Sequence, residues 1–469
     1  MSALPTAPLG GWDLLVVGGG TAGLVAARTA AGFGASVLLV ERSRTGGDCL
    51  WTGCVPSKAL LAAAGAAAGA RAAGRLGVHV SGVEVDFTAV MTHVHAARTR
   101  IEPDDSPASL EAAGVRVVHA EAQLVGPRTV LVGGQRVEPR QVVVAVGSAP
   151  LVPDLPGLRE VVLTSDTIWD LTELPHRLVV LGGGSIGCEL AQAFARLGST
   201  VTVVEEAGRV LSREDPEASA AVTDALRADG VTVRTGVVAR AVEGGSVVLD
   251  SGERIAADRV LVAVGRRPRT TGLGLDAAGV QLDEHGYVRV DDHLRTTNPR
   301  VWAAGDVTGH AQLTHVAGVH GSLVATNAVL GLRRSTDAVV PRVTFTQPEV
   351  ASVGVATSAG PTVAHTHVDR AIAESETAGF SRLELDPRGR IVGATVVGPR
   401  AGETLAELTL AVRQGLRTRD LAATTHAYPT HGDGVWNAAI ADVRARLGTP
   451  GATRVTRALA GVRRRWLDR

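Results

Sequence analysis

The sequence predicts an α/β fold: two parallel-sheet βαβ units followed by a C-terminal α+β region. Two glycine-rich turns point to the units. Gly18-Gly19-Gly20-Thr21-Ala22-Gly23 follows a short apolar run and opens an alanine-rich stretch, and Gly182-Gly183-Gly184-Ser185-Ile186-Gly187 repeats that arrangement later in the chain. A shift in composition from about Pro341 marks the third region. At 469 residues the chain is too long for one ordinary domain.

Bulk properties exclude several classes. Lysine plus arginine equals aspartate plus glutamate, at 47 each, so no charge excess invites a nucleic-acid partner. Three cysteines do not make a secreted disulfide framework, and no Cys/His cluster with metal-ligand spacing surrounds them, so no metal site is expected. No apolar run reaches transmembrane length. The early run Leu14 to Val17 is short and leads straight into glycines, which marks a buried strand rather than a signal peptide. A soluble, cytoplasmic protein is expected.

Residues 1–10 read as a disordered leader. A strand at 12–17, a helix to about Gly34 and a strand at 37–40 ending in Glu41 then form a βαβ unit. In that setting the glycine turn is a dinucleotide fingerprint, and the unit is Rossmann-like. Gly18 permits the tight turn, Gly20 lets a pyrophosphate approach the backbone, and Gly23 lets helix and strand pack closely. The helix N-terminus suits phosphate, and Glu41 suits a ribose hydroxyl pair.

The cysteine segment Gly46-Gly47-Asp48-Cys49-Leu50-Trp51-Thr52-Gly53-Cys54-Val55-Pro56-Ser57-Lys58 comes next. Pro56 suits a first helical turn, where its missing N–H has no partner to lose. Cys54 then lies at a helix N-terminus, whose dipole favours a thiolate, and Lys58 adds positive charge one turn on. Redox chemistry follows from that setting; two buried structural thiols are the plainer alternative. The helix runs towards Arg71, followed by an amphipathic helix at 87–101 and strands at 115–118 and 141–146. Pro150, Pro153, Pro156 and Gly157 punctuate a linker.

The second fingerprint has a strand at 177–181, a helix at 188–197 and a strand at 201–204 ending in Glu205. Gly182, Gly184 and Gly187 repeat the three glycine roles, with Ile186 inside the turn. A carboxylate at Glu205 accepts from ribose hydroxyls and repels a 2′-phosphate. Glu206 adds to the repulsion; Arg209 is the nearest base and would by itself suit a 2′-phosphate, but the two acids favour NADH over NADPH. Alternatively both acids are merely solvated at a strand end. Cys188 sits among small and apolar residues and reads as a core thiol. Glu189 needs a partner if buried in a helix rich in Ala, Leu and Phe. Residues 216–260 read as a helix and short strands, with a strand at 260–264 before Gly265-Arg266-Arg267-Pro268. Beyond Pro341 a first strand is expected across 341–354, alternating strands near 382–385 and 391–397, and a helix at 401–414.

The pattern Gly-Gly-x-Cys-x-x-x-x-Cys-Val-Pro-Ser-Lys resembles the active-site signature of the flavoprotein disulfide reductases, and further matches span nearly the whole chain. Val142 to Pro150 is similar to that family's chain-crossing motif, with Val146 in place of the usual Thr, and Val301-Trp302-Ala303-Ala304-Gly305-Asp306-Val307 is characteristic of it. The resemblance implies an FAD-binding domain over 11–150 and 273–335, an NAD(P)-binding domain over 151–272, a dimerisation domain over 340–450 and a basic tail over 451–469. It sets Gly47, Lys58, Gly147, Asp306, Leu313, Thr314 and His315 near FAD, with Asp306 on the ribityl chain and His315 structural rather than catalytic. It assigns Gly182, Gly184, Ile186, Gly187, Glu189, Glu205 and Gly265 to the nicotinamide site, and pairs Glu189 with Lys58. Cys54 becomes the sulfur facing the flavin and Cys49 the interchange thiol. The protein is expected to work as a homodimer in which each subunit completes its partner's site.

The pattern breaks near the C-terminus. Two branches of the family, dihydrolipoamide dehydrogenase and glutathione reductase, have His before the Pro of this segment and Glu five residues after that His; here Tyr428 and Asp433 hold those places in His426-Ala427-Tyr428-Pro429-Thr430-His431-Gly432-Asp433. Tyrosine is a poor proton carrier near neutrality but can donate a hydrogen bond or steady a thiolate. His426 and His431 are candidate substitutes, and otherwise are surface loop residues. Mercuric reductases have a Tyr here but also a C-terminal cysteine pair, whereas all three cysteines of this chain precede residue 189. The expected acceptor is therefore a small disulfide, or alternatively a quinone reduced directly by the flavin. A flavin-bound redox sensor or assembly protein is the alternative of another class. Residues 453–469 carry Arg454, Arg457, Arg463, Arg464, Arg465 and Arg469 interleaved with apolar residues. They read as a solvated, frayed tail, or as a basic amphipathic helix in weak contact with a membrane surface.

Overall fold

The computed structural model describes residues 5, 7, 9, 11–336 and 338–469. Most of the expected leader lies outside the described residues. Two parallel five-stranded sheets form the body of the molecule. The first runs in the order Val301–Ala303, Gln141–Val144, Leu14–Val17, Val37–Glu41, Val115–His119. The second runs Thr232–Thr235, Thr200–Glu205, Arg177–Leu181, Arg259–Val262, Val162–Thr164. Each fingerprint strand is central in its sheet, and every residue of Leu14–Val17 is buried, as a parallel sheet covered on both faces requires. The strand begins two residues later than expected because Trp12, though buried, precedes the ladder.

The two units are close copies. Gly18 and Gly182 both have φ of 106°, in the left-handed region, and a Cβ on Gly23 or Gly187 would fall 1.9 Å from the carbonyl oxygen of Gly18 or Gly182. Helix Thr21–Gly32 and helix Ser185–Leu197 can sit on their strands only because those side chains are missing. Each unit also carries a three-stranded antiparallel meander, Ala122–Gly126 to Gln135–Val137 in one and Ala239–Glu243 to Arg254–Ala256 in the other. Strands Ser148–Pro150 and Arg266–Pro268, where the chain leaves and re-enters the first unit, pair antiparallel with each other. Helix Thr314–Leu330 then packs on helix Thr21–Gly32, with Gly321 against the Ala22 carbonyl.

The third sheet is antiparallel, in the order Arg342–Thr344, Glu349–Gly354, Ile391–Gly398, Phe380–Leu385, Thr362–Ala364. Two expectations fail here. The single strand over 341–354 is two strands, broken at Thr346-Gln347-Pro348, where Pro348 has no N–H to give a ladder and the two halves fold back to pair. The central strands do not alternate. Phe380–Leu385 is buried on both faces, because helices Ala401–Gln414 and Asp433–Leu447 cover one side of the sheet while helix Pro216–Ala228 closes against the other. That second cover explains Arg382, which is buried on an ion pair 2.7 Å from Asp215 and 2.8 Å from Glu217. The tail is a third difference: instead of fraying it forms one helix, Pro450–Leu467, with proline in its first turn.

Gly23→Ala and Gly187→Ala should each destabilise the protein by about 1–3 kcal/mol through overpacking, read as a lower unfolding midpoint. Gly32→Ala, at an exposed helix end with nothing within 4 Å of the new methyl, should leave the midpoint unchanged or higher. Equal losses at all three positions would contradict the close-approach reading.

Candidate active site

The reactive centre begins with backbone geometry. Gly46 and Gly47 take positive φ, and a Cβ on Gly47 would lie 2.5 Å from the Gly20 Cα, so the cysteine segment rests directly on the first fingerprint turn. Cys49 lies in the short helix Gly47–Trp51, and Cys54 opens helix Cys54–Ala72. The Cys54 Sγ is 3.1 Å from the Thr314 hydroxyl, and Thr314 is itself the first residue of its helix, after Leu313. Two helix N-termini therefore converge on one sulfur.

Both thiols are free and hydrogen-bonded to each other. That bond from Cys49, reinforced by Thr314 and the Lys58 charge and opposed by burial, brings Cys54 down to about 6. The same bond, with burial and the neighbouring sulfur's charge, pushes Cys49 above the ordinary thiol range. Near neutrality the pair holds one negative charge, on Cys54, and one proton, on Cys49. Cys188 is fully buried, donates to the Gly183 carbonyl at 3.3 Å and is pushed up by burial, as befits a core thiol.

Lys58 and Glu189 meet at 2.8 Å, joining the cysteine helix to the second fingerprint helix. The other Glu189 oxygen accepts the Phe345 N–H at 2.9 Å, and the Lys58 ammonium lies 4.1 Å from the Phe345 ring centre. Glu189 is thereby buried with both oxygens satisfied.

The fingerprints use their acids identically. Glu41 accepts from the N–H groups of Gly19 and Ser43 at 2.7 and 2.8 Å, and Glu205 from Gly183 and Ala207 at 2.5 and 2.6 Å. Glu205 is thus fixed at its strand end, not loose in solvent, while Glu206 is exposed. Arg209 donates to the Ser212 and Glu214 carbonyls. A Cβ on Gly184 would meet nothing within 4 Å, and one on Gly20 only Gly47 at 3.7 Å, so each helix N-terminus is open to an approaching phosphate. The residues present fit two dinucleotides. Ile186 is exposed beside the second turn.

A charged cluster that sequence reasoning missed lies between the units. Asp306 accepts the Ser148 hydroxyl at 2.6 Å, and Arg266 donates to that same hydroxyl at 2.6 Å and to the Asp48 carboxylate. Arg269 lies 3.3 Å from Asp48 and 3.5 Å from Asp166. Gly147 and Gly265, with φ of 67° and 139°, make the turns that bring these residues together. The only signal in the sequence was the paired arginines of the second crossing motif. The exposed His315 binds the Pro341 carbonyl at 2.9 Å, so its ring is engaged with the C-terminal region.

The C-terminal segment departs from expectation. Tyr428 is 67% exposed and donates its hydroxyl to Asp369, which raises the phenol above its ordinary value. Asp433 is buried and accepts from the Thr430 N–H and hydroxyl at 3.1 and 3.3 Å, so it shapes the turn before helix Asp433–Leu447 and does not bond Tyr428. Neither histidine is a loose surface residue. Both ring nitrogens of His426 face acceptors, the Thr424 carbonyl and Glu407, each at 2.9 Å, and its ring stacks on Trp436. His431 is buried and bound to Glu374 at 2.9 Å. Local carboxylates hold both rings, which leaves Tyr428 as the presented group.

Alkylation of Cys54 in the reduced protein, followed by peptide mass spectrometry, should show an ionisation near about 6. Lys58→Met or Thr314→Val should raise that midpoint by about 1 on the pH scale, since each removes a group favouring the thiolate. An unmoved midpoint in both variants would refute this account.

Comparison with known proteins agrees with the geometry. Residues 12–321 match the pyridine nucleotide-disulphide oxidoreductase family model, and residues 340–439 match the dimerisation domain of the same family. The chain is 41% identical over 445 residues to a mercuric reductase of Streptomyces lividans, covering 90% of this chain and 94% of the relative. It is 36% identical over 465 residues to a dihydrolipoyl dehydrogenase of Geobacillus stearothermophilus, covering 93% and 97%. The crystal structure of LpdA from Mycobacterium tuberculosis superposes with a TM-score of 0.84 at 29% identity, over 91% of this chain and 99% of that one. Fingerprints, cysteine pair, crossing strands and C-terminal sheet together place this chain in the pyridine nucleotide-disulphide oxidoreductase family, as an enzyme related to mercuric reductase and dihydrolipoyl dehydrogenase.

Proposed function

We propose that the protein is a homodimeric NADH:disulfide oxidoreductase using FAD and the Cys49–Cys54 pair. The observation that carries this reading is the setting of the cysteine pair: Cys54 opens its helix with its sulfur 3.1 Å from the Thr314 hydroxyl at a second helix N-terminus, and Cys49 lies in the short helix just before it, an arrangement that favours a thiolate on Cys54. Residues 11–150 and 273–335 would hold FAD through Gly18, Gly20, Gly23, Glu41, Asp306 and the helix beginning at Thr314. Residues 151–272 would hold the nicotinamide cofactor through Gly182, Gly184, Gly187 and Glu205. Glu205, fixed by two backbone N–H groups, with Glu206 beside it, presents negative charge that a 2′-phosphate would oppose; this supports NADH. Bound flavin supplies two-electron transfer between the nicotinamide and the cysteine pair.

The residues of the chain manage the sulfur and proton steps. Cys49 can pass its proton to the hydrogen-bonded Cys54 thiolate, and the Cys49 thiolate so formed attacks one sulfur of the substrate disulfide. A mixed disulfide forms and the first substrate thiolate leaves. Cys54 passes that proton to the departed thiolate and attacks Cys49; the Cys49–Cys54 disulfide forms and the second thiolate leaves. The pair loses two electrons and the substrate gains two. Tyr428, presented across the two-fold axis by the 340–450 domain of the partner, would turn its hydroxyl from Asp369 to steady each leaving thiolate with a hydrogen bond. Cys54 thus serves as the local base in a chain with no histidine before Pro429.

The phenol of Tyr428 also suits a carbonyl oxygen, which favours a second reading: direct quinone reduction, with the cysteines as bystanders. Anaerobic titration of the FAD-loaded protein with NADH should give a long-wavelength thiolate–flavin charge-transfer band at two electrons. Cys49→Ser should then abolish disulfide reduction and spare any quinone reduction. Flavin bleaching without the band, or unimpaired disulfide reduction by Cys49→Ser, would sink the proposal. A mercuric thiolate belongs in the acceptor panel because one relative is named for that ion. Tyr428→Phe should slow turnover with the best disulfide by roughly tenfold, the value of about one hydrogen bond, with KM for NADH unchanged.

A further inference from the structure

Helix Pro450–Leu467 has no buried residue and leans on the helix before it, Asp433–Leu447. It also lies beyond residue 439, where the match to the family's dimerisation domain ends. Val455, Leu459, Val462 and Trp466 are 58%, 64%, 61% and 61% exposed. Their spacing puts all four on one stripe of the helix. Such a stripe, left open by the chain's own packing, marks a surface made for a partner.

The rest of the helix says which partner. Arg454, Arg457, Arg463, Arg464 and Arg465 occupy the other faces, Arg469 follows, and Asp468 is the single acid in the segment. The chain as a whole has zero net charge, so this excess is local. The Arg463 guanidinium lies 4.1 Å from the Trp466 ring centre, which sets a cation at the margin of the stripe beside an aromatic amphiphile. Apolar stripe, terminal tryptophan and flanking arginines are the composition of a helix that lies in a bilayer interface, apolar side down and guanidiniums on phosphate. No helix among the described residues is long and apolar enough to cross a membrane. Pairing with a second copy would crowd two arginine clusters together, and a nucleic acid would leave the stripe in water. We propose that helix Pro450–Leu467 docks this enzyme on the surface of an anionic lipid bilayer.

The test uses the full-length, FAD-loaded protein and sedimentation with two kinds of vesicle: phosphatidylglycerol mixed equally with phosphatidylcholine, and phosphatidylcholine alone. Binding to the anionic vesicles should be at least tenfold tighter and should weaken as salt is raised. Leu459→Glu with Trp466→Glu, and separately Arg463, Arg464 and Arg465→Glu, should each reduce it at least tenfold. NADH oxidation with a soluble acceptor should be unchanged in both variants, which shows that they fold. Equal binding to both vesicles, or to neither, overturns the proposal. So does a fall in oligomeric mass in the Leu459/Trp466 variant, which would give the stripe to a second copy. DNA binding that survives loss of the stripe while vesicle binding is absent would assign the arginines to nucleic acid.

Discussion

The ion pair between Lys58 and Glu189 joins three parts of the chain that are far apart in sequence. Lys58 belongs to the cysteine helix, Glu189 to the second fingerprint helix, and Phe345, whose N–H fills the remaining carboxylate oxygen, to the C-terminal sheet. A buried carboxylate with only one of these partners would be costly, and removing the lysine would strand it outright. The pair therefore does more than place a charge near Cys54. It fixes the distance between the unit that holds the cysteines and the unit expected to hold the nicotinamide, and it does so next to the reacting sulfur.

A second tie operates at the crossings. Strands Ser148–Pro150 and Arg266–Pro268 are the two places where the chain passes between units, and they hydrogen-bond to each other. Arg266 then reaches Asp48, the residue before Cys49, and the Ser148 hydroxyl that also serves Asp306. One guanidinium thus touches the cysteine segment, one crossing strand and, through Ser148, the turn expected to face the ribityl chain. Duplicated units of this kind can drift as rigid bodies; here the hinge is itself part of the site.

What could be read from the sequence was local. Each fingerprint carries its strand, its turn and its terminal acid within about thirty residues, and the glycine roles follow from sterics alone. The helix dipole at Cys54 and the core position of Cys188 were legible for the same reason. Long-range pairings were not. Asp48 and Arg266 lie 218 residues apart, and nothing in either neighbourhood names the other. Asp433 looked like a proton-relay partner from its spacing, but its carboxylate turns back on Thr430. The histidines looked loose because Glu407 and Glu374, which hold them, belong to other elements. Strands 380–385 and 391–398 gave the wrong pattern because the second cover on their sheet comes from helix Pro216–Ala228, far away in sequence.

The shared proton of the cysteine pair has an electrochemical consequence. Above a pH of about 6, where Cys54 is ionised and Cys49 is not, reduction of the disulfide takes up two electrons and one proton. The midpoint potential of the pair then falls by about 30 mV for each step in pH. A nicotinamide couple, which also exchanges two electrons with one proton, falls by the same amount. The driving force from one to the other is therefore level across the neutral range, and the proton that overall reduction of a disulfide by a reduced nicotinamide consumes enters at the exchange between the cysteine pair and its substrate.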